Sequence, residues 1–347
     1  MKVLVTGNLP DDVVAPLRAR YQVEMNREDC PMARPLILSG VQDKQGLLAM
    51  ISDTINEEVL DCAPGLRMIA NFGVGYNNID VQAATARGIM VSNTPGVLTA
   101  ATAELAFALI LAVARRVVEG DRMVREGRFK FWAPMFFLGR EVTGKTLGIV
   151  GMGKIGKALA GMGRAFNMPI LYHNRQRLAR EEEQKMQAEY VDLKTLLKRA
   201  DFVSLNVPLT VQTRYLIGRN ELALMKPEAF LINTARGPVV DEKALVEVLR
   251  AKKIAGAGLD VYEDEPALAP GLAELDNVVL LPHVGSGTLE TRMRIGHLAV
   301  ENLIAGLEGG TSASRKSRGS FPAACRIGLC IFCKKRGAAF GCPSFCA

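Results

Sequence analysis

Long apolar runs are missing from this 347-residue chain: the most apolar stretch, LAFALILAVA at 105–114, is about half of what a bilayer span requires. Cysteine is scarce as well, with only Cys30 and Cys62 before residue 310, so the body carries no disulfide framework and suits a reducing compartment. Histidine occurs three times and tryptophan once, which leaves few candidates for proton transfer or aromatic recognition. An excess of charge is absent from the body too. The net +7 comes from Arg315, Lys316, Arg318, Arg326, Lys334, Lys335 and Arg336; taking those seven from 43 basic residues leaves 36 against 36 acids. That balance argues against nucleic acid or a membrane surface as partner. The N-terminus MKVLVTGNLPDD has one lysine and a short apolar stretch before Gly, Pro and paired acids, so it reads as a first strand and not a signal peptide. These features predict a cytoplasmic protein.

What is present is a repeated alternation. Short apolar segments, KVLVTG, GLLAM, RMIANFG and IMVSN, then TLGIVG, PILYHN, FVSLNV, AFLINTA, GAGLD and VVLLPH, are separated by helix-like stretches. Strands apolar on both faces and joined through helices belong to parallel sheets in an α/β protein. Two series are visible, parted by a helical stretch from Ala100 to Glu126. That stretch is apolar nearly all round until Arg115 and Arg116, which predicts burial on more than one side, either between the two domains or against a second subunit. A final helix, Thr288 to Leu307, is too short to form a domain and is expected to return to the first series. The hinge would then be crossed twice, and closure around a ligand is expected.

TLGIVGMGKIGKALAGMGRAF places Gly151, Gly153, Lys154, Ile155 and Gly156 directly after a strand and at the opening of an alanine-rich helix. The first glycine allows a tight turn, the second lets backbone approach a pyrophosphate, and the third lets helix and strand pack closely. With strand, turn, helix and next strand at the expected separations, the segment predicts dinucleotide binding. The next strand ends in YHNRQ, where an NAD-binding fold carries a carboxylate for the adenine ribose; Asn174, Arg175, Gln176 and Arg177 stand there instead. A guanidinium pairs with a 2′-phosphate that a carboxylate would repel, so the sequence predicts NADP(H) as the preferred cofactor, with NAD(H) possible.

Of the histidines, His173 borders the ribose loop and suggests stacking or exposure. His297 lies in the last helix, and His283 ends the strand NVVLLPH. The carboxyl ends of strands are where open α/β sheets bind ligands, so His283 is the candidate acid or base. Two other strand ends deliver Arg236, in NTARGPVVDE, and Asp260 and Glu265, in GLDVYEDEP.

At these residues the chain resembles the D-isomer-specific 2-hydroxyacid dehydrogenase family, and within it the glyoxylate and hydroxypyruvate reductases. The resemblance runs through NFGVGYNNID (71–80), NTPGVLTAATAE (93–104), GKTLGIVGMGKIG (144–156), NTARGPVVDE (233–242), GLDVYEDEP (258–266) and LPHVGSGT (281–288), and covers essentially residues 1 to 308. It implies a Rossmann-type doubly wound cofactor domain, 99–284, and a smaller flavodoxin-like α/β substrate domain made of 1–98 and 285–310. Arg236 would hold the substrate carboxylate and polarise the keto oxygen, His283 would donate the proton, and Glu265 would orient the imidazole and favour its acid form. The amides of Val74 and Gly75 would receive the substrate carboxylate. Asp260 would meet the nicotinamide carboxamide and Thr102 the cofactor phosphates, with Thr234, Ala235 and Gly285 among the cofactor contacts. Trp132 matches a position that approaches the substrate pocket in the reductase branch, although a lone tryptophan is more often core or interface.

The implied activity is NAD(P)H-dependent reduction of a small 2-keto acid by a homodimer, with no metal. The competing expectations are a nicotinamide-sensing corepressor on the same fold and a short-type phosphoglycerate dehydrogenase. The resemblance stops at Gly310. Beyond it, Cys330, Cys333, Cys342 and Cys346 have a spacing open to zinc, yet the loss of acids and periodicity favours an extension without a fold, such as a frameshifted or read-through end.

Overall fold

The computed structural model describes residues 1–309; the tail and its four spaced cysteines lie outside the described residues. The chain divides into two units: Met1–Leu98 with the segment from Thr288 onward, and Thr99–Gly287. Val284 and Gly285 stay with the second unit, so the return crossing falls a few residues later than the predicted 285.

The first unit is a five-stranded parallel sheet of β1 (Lys2–Val5), β2 (Gln22–Met25), β3 (Gly46–Met50), β4 (Met68–Phe72) and β5 (Met90–Ser92), in the order β2-β1-β3-β4-β5. This is the flavodoxin-like order. One face carries Leu4, Leu47, Ala49, Ile69 and Val91 into a core with Ile37, Val41, Val59 and Ile79. The other face is covered by the helix Asp11–Arg18 and by Leu289–Leu307, the final helix, whose Leu303 and Leu307 lie over Gly46.

The second unit has seven parallel strands: β6 (Leu147–Val150), β7 (Ile170–His173), β8 (Ala188–Tyr190), β9 (Phe202–Leu205), β10 (Phe230–Asn233), β11 (Gly256–Leu259) and β12 (Val278–Leu280). Their order, β12-β11-β10-β9-β6-β7-β8, is doubly wound, with the switch between β6 and β9. Ten of the twelve strands coincide with the apolar segments read from sequence. The two that do not, β2 and β8, are edge strands whose residues are half-buried or exposed, so QVEM and AEY lack the apolar signal of a central strand.

The expectation of one long helix is corrected. It is not continuous: helices Thr99–Ala114 and Val117–Arg125 are separated at Arg115 and Arg116, and Arg116 adopts a left-handed backbone, φ 55°. The Arg116 guanidinium pairs with Glu119 at 2.5 Å and lies 4.0 Å from the centroid of the Phe137 ring, and the Arg140 amide takes up the free carbonyl of Ala114. The apolar helix is also buried within its own unit. Ala103, Ala106, Leu109, Ile110 and Val113 pack on Leu147, Ile149, Phe202, Phe230 and Ile232 of one sheet face.

Candidate active site

The turn after β6 is built for backbone approach. Gly151 has φ 99°, and a Cβ there would stand 2.7 Å from the carbonyl oxygen of Asn206; a Cβ on Gly156 would overlap the carbonyl of Gly151. The helix Lys154–Ala165 begins at this turn with Gly153 as its N-cap and no capping side chain, so its first amides, including those of Lys154 and Ile155, are available to an anion. Asn174 fixes the turn from the neighbouring strand end: its Oδ1 accepts the Met152 amide at 2.6 Å. Two buried polar atoms at adjacent strand ends, Asn206 Oδ1 and Thr234 Oγ1, have no hydrogen-bond partner among the described residues. The cradle and the unspent polar atoms fit a dinucleotide phosphate and its riboses.

Past β7, Arg175 and Gln176 are exposed. His173 stacks on Tyr190 with ring centroids 6.2 Å apart, and His297 is exposed on its helix. Neither joins the groups described next.

Three strand ends of the same unit bring Arg236, Glu265 and His283 together. Asn233 clamps the first turn at both sides, donating to the Arg236 carbonyl at 3.0 Å and accepting the Ala235 amide at 3.0 Å. Arg236 donates to the Ala235 carbonyl at 2.6 Å. Gly237 lies so close to the next loop that a Cβ would overlap the carbonyl of Tyr262. Tyr262 then ties the remaining two loops: its amide donates to Glu265 Oε1 at 3.0 Å and its hydroxyl to the Leu281 carbonyl at 2.8 Å. Neither Asn233, Gly237 nor Tyr262 was singled out from sequence; a tyrosine among acids and a glycine beside a strand-end arginine were the available signals.

His283 Nδ1 is 2.7 Å from Glu265 Oε2, and Nε2 has no partner among the described residues. Burial works to raise the Glu265 pKa, but the bonds from His283 and the Tyr262 amide, with the charges of His283 and Arg236, bring it below the ordinary carboxylate value. Burial lowers the pKa of the Arg236 guanidinium, against the pull of Glu265. His283 itself has φ 53°, a conformation costing a non-glycine residue about 1 to 2 kcal/mol. Asp260 holds the loop there, accepting the amides of Val284 and Gly285 at 2.7 Å each. The Asp260 pKa is raised by burial. Thr102 and Asp260 both flank Gly285, so these three predicted cofactor residues gather at one place.

Val74 and Gly75 lie in the first unit, in the turn after β4. Its carbonyls are all engaged: Gly73 accepts the Thr94 amide at 3.0 Å, Val74 accepts Asn93 Nδ2 at 2.8 Å, and Gly75 accepts Asn71 Nδ2 at 2.7 Å. Asn78 supports Asn71 at 3.1 Å, and Asn302 of the last helix donates to the Asn93 carbonyl at 3.1 Å. Arg292, from the same helix, lies over the ring of Phe72 beside this turn. Trp132 is 76% exposed, which removes the core reading of that residue.

Residues 107–285 match the model of the D-isomer specific 2-hydroxyacid dehydrogenase, NAD binding domain. A glyoxylate reductase of Thermococcus litoralis is 49% identical over 312 residues, which is 89% of this chain and 94% of that one. Among solved structures, a Thermus thermophilus protein superposes with TM-score 0.83 at 47% identity, covering 89% of this chain and 98% of that one. The NADPH-dependent glyoxylate/hydroxypyruvate reductase of Sinorhizobium meliloti, in complex with NADP and malonate, gives 0.77 at 34% identity, covering 88% and 92%. The glycine cradle, the convergent strand ends and these similarities together establish that the chain belongs to the D-isomer specific 2-hydroxyacid dehydrogenase family and uses a pyridine nucleotide.

Proposed function

We propose that this protein reduces a small 2-keto acid, glyoxylate or hydroxypyruvate, to the D-2-hydroxy acid. The observation that carries the reading is the 2.7 Å contact between Glu265 and His283, with the charge of Arg236 acting on the same carboxylate. The bound cofactor supplies the hydride for the keto carbon. Arg236 binds the substrate carboxylate and draws electron density toward the keto oxygen. Glu265 takes the Nδ1 proton of His283 in a hydrogen bond, which leaves the Nε2 proton for that oxygen; the keto group becomes an alcohol and the imidazole is left neutral. The resemblance gives the amides of Val74 and Gly75 a part in binding a carboxylate, and the asparagines that hold their turn's carbonyls keep those amides oriented. The test is oxidation of reduced nicotinamide, followed by absorbance, across a panel of 2-keto acids. Cofactor binding without turnover on any of them would defeat the proposal.

NADP(H) is the preferred cofactor in this reading. Arg175 is exposed and makes no ion pair among the described residues, and no acid follows β7 directly. A homodimer is supported by the exposed apolar side chains between 117 and 138: Val117, Val124, Phe129, Phe131, Trp132 and Met135. Sedimentation of a monomer at micromolar concentration would remove it. Cys30 and Cys62, both free thiols, support a cytoplasmic setting.

A further inference from the structure

The loop that follows β7 carries the side chains on which cofactor preference rests, and it is fastened to its surroundings at every residue from 174 to 178 except two. Asn174 is held twice, by the Met152 amide at 2.6 Å on its side chain and by the Tyr190 hydroxyl at 3.3 Å on its carbonyl. Arg177 forms a two-pronged pair with Glu183, Nε to Oε1 and Nη2 to Oε2, each 2.8 Å, and its guanidinium lies 5.5 Å from the Tyr190 ring centroid. The Leu178 amide donates to the Tyr172 hydroxyl at 3.0 Å, and that hydroxyl donates in turn to Glu183. The side chains of Arg175 and Gln176 are exposed and make no hydrogen bond or ion pair among the described residues.

Two of the anchors are buried and the third, Tyr190, is half-buried, although the loop's Arg175, Gln176 and Arg177 are exposed. Tyr172 is fully buried on β7, and Glu183 is 8% exposed on the helix Arg180–Met186. Tyr190 is the register partner of Tyr172 on the edge strand β8, with ring centroids 5.4 Å apart. A carboxylate so placed is costly unless it is paired, and the pair with Arg177 also cancels a negative charge that would oppose an anion at the loop. Holding a loop in its binding shape before the ligand arrives avoids the ordering cost that a slack loop incurs on binding.

We propose that Glu183, Tyr172 and Tyr190 are positioning residues for cofactor selectivity: they hold the 174–178 loop so that Arg175 and Gln176 are presented to the 2′-phosphate of NADP(H), without touching the cofactor themselves. The proposal rests on Arg175 being the phosphate contact. Glu183→Gln keeps the side-chain shape and removes the charge that clamps Arg177, and Tyr172→Phe keeps the packed ring and removes the hydroxyl that links Leu178 to Glu183. Calorimetric titration of the full chain with adenosine 2′,5′-bisphosphate and with adenosine 5′-monophosphate separates the phosphate from the rest of the nucleotide.

Each variant is expected to weaken the bisphosphate about tenfold and to leave the monophosphate within about twofold; KM for NADPH should rise without a matching rise for NADH. Arg175→Ala is measured beside them. An unchanged bisphosphate affinity in Arg175→Ala ends the phosphate reading and the brace with it. A collapse in Arg175→Ala with wild-type affinity in both Glu183→Gln and Tyr172→Phe ends the brace alone. Equal weakening of the two nucleotides, or a loss seen only in thermal stability, assigns the three residues a general structural role and overturns the proposal.

Discussion

The two sheets finish differently at their carboxyl edges. In the first unit the turn after β4 is fastened by Asn71, Asn78, Asn93 and Asn302, all neutral. In the second, the loops after β10, β11 and β12 present Arg236, Asp260, Glu265 and His283, and the bonds among them involve charge. An amide side chain can pin a carbonyl without altering the protonation of anything near it, whereas charged neighbours set one another's pKa and can pass a proton. Under the proposed function the first edge holds a ligand and the second changes one.

The sharpest way to break that contrast is His283→Ala. Steady-state kinetics should give a kcat lower by a factor of about a hundred or more, with nucleotide affinity unaltered; wild-type turnover would take the proton-donor role from this residue. Next in size, Gly237→Ala forces the loops bearing Arg236 and Glu265 apart, because its methyl would overlap Tyr262. Denaturant titration should register a loss of about 1–3 kcal/mol, accompanied by a fall in turnover. On the neutral edge, Asn93→Ala frees the Val74 carbonyl. KM for the keto acid should rise about five- to tenfold while kcat and nucleotide binding hold, and a kcat effect as large as that of His283→Ala would erase the distinction between the edges.

The smallest effect concerns pH. Bonds from Arg177 and then Tyr172 hold the Glu183 carboxyl down at about 2, below its ordinary 4.5. A depressed acid stabilises the fold above its unfolded pKa and loses that contribution as pH falls through the folded value. The difference in Tm between wild type and Glu183→Gln should therefore be constant above about pH 5 and shrink from 4.5 toward 2; a gap that widens on acidification contradicts the pairing.

Central strands were legible because each is apolar on both faces and bounded by turn residues. Two of the four edge strands were not: QVEM and AEY are half-buried or exposed, so nothing in their composition demands a sheet. The single long helix read from 100 to 126 was an error of the same kind, since the break at Arg116 is stabilised by Glu119 and Phe137 through space. At the candidate site, strand-end position pointed to Arg236, Glu265 and His283. The groups that set their geometry act through backbone atoms, Asn233 within its own turn and Tyr262 and Asp260 on the loop that carries His283, and such bonds leave no periodicity or spacing to read. Glu183 illustrates the limit: in sequence it is one of three consecutive glutamates, and only the fold turns it inward against Tyr172.

The last helix has a consequence for the nascent chain. One face of the first sheet is covered in part by Leu303 and Leu307, so that part of it stays bare while roughly 190 intervening residues are made. At about 5–20 residues per second that is on the order of 10 to 40 seconds on the ribosome. During that interval the second unit can complete its own core, and the earliest-made part of the protein becomes the latest to mature.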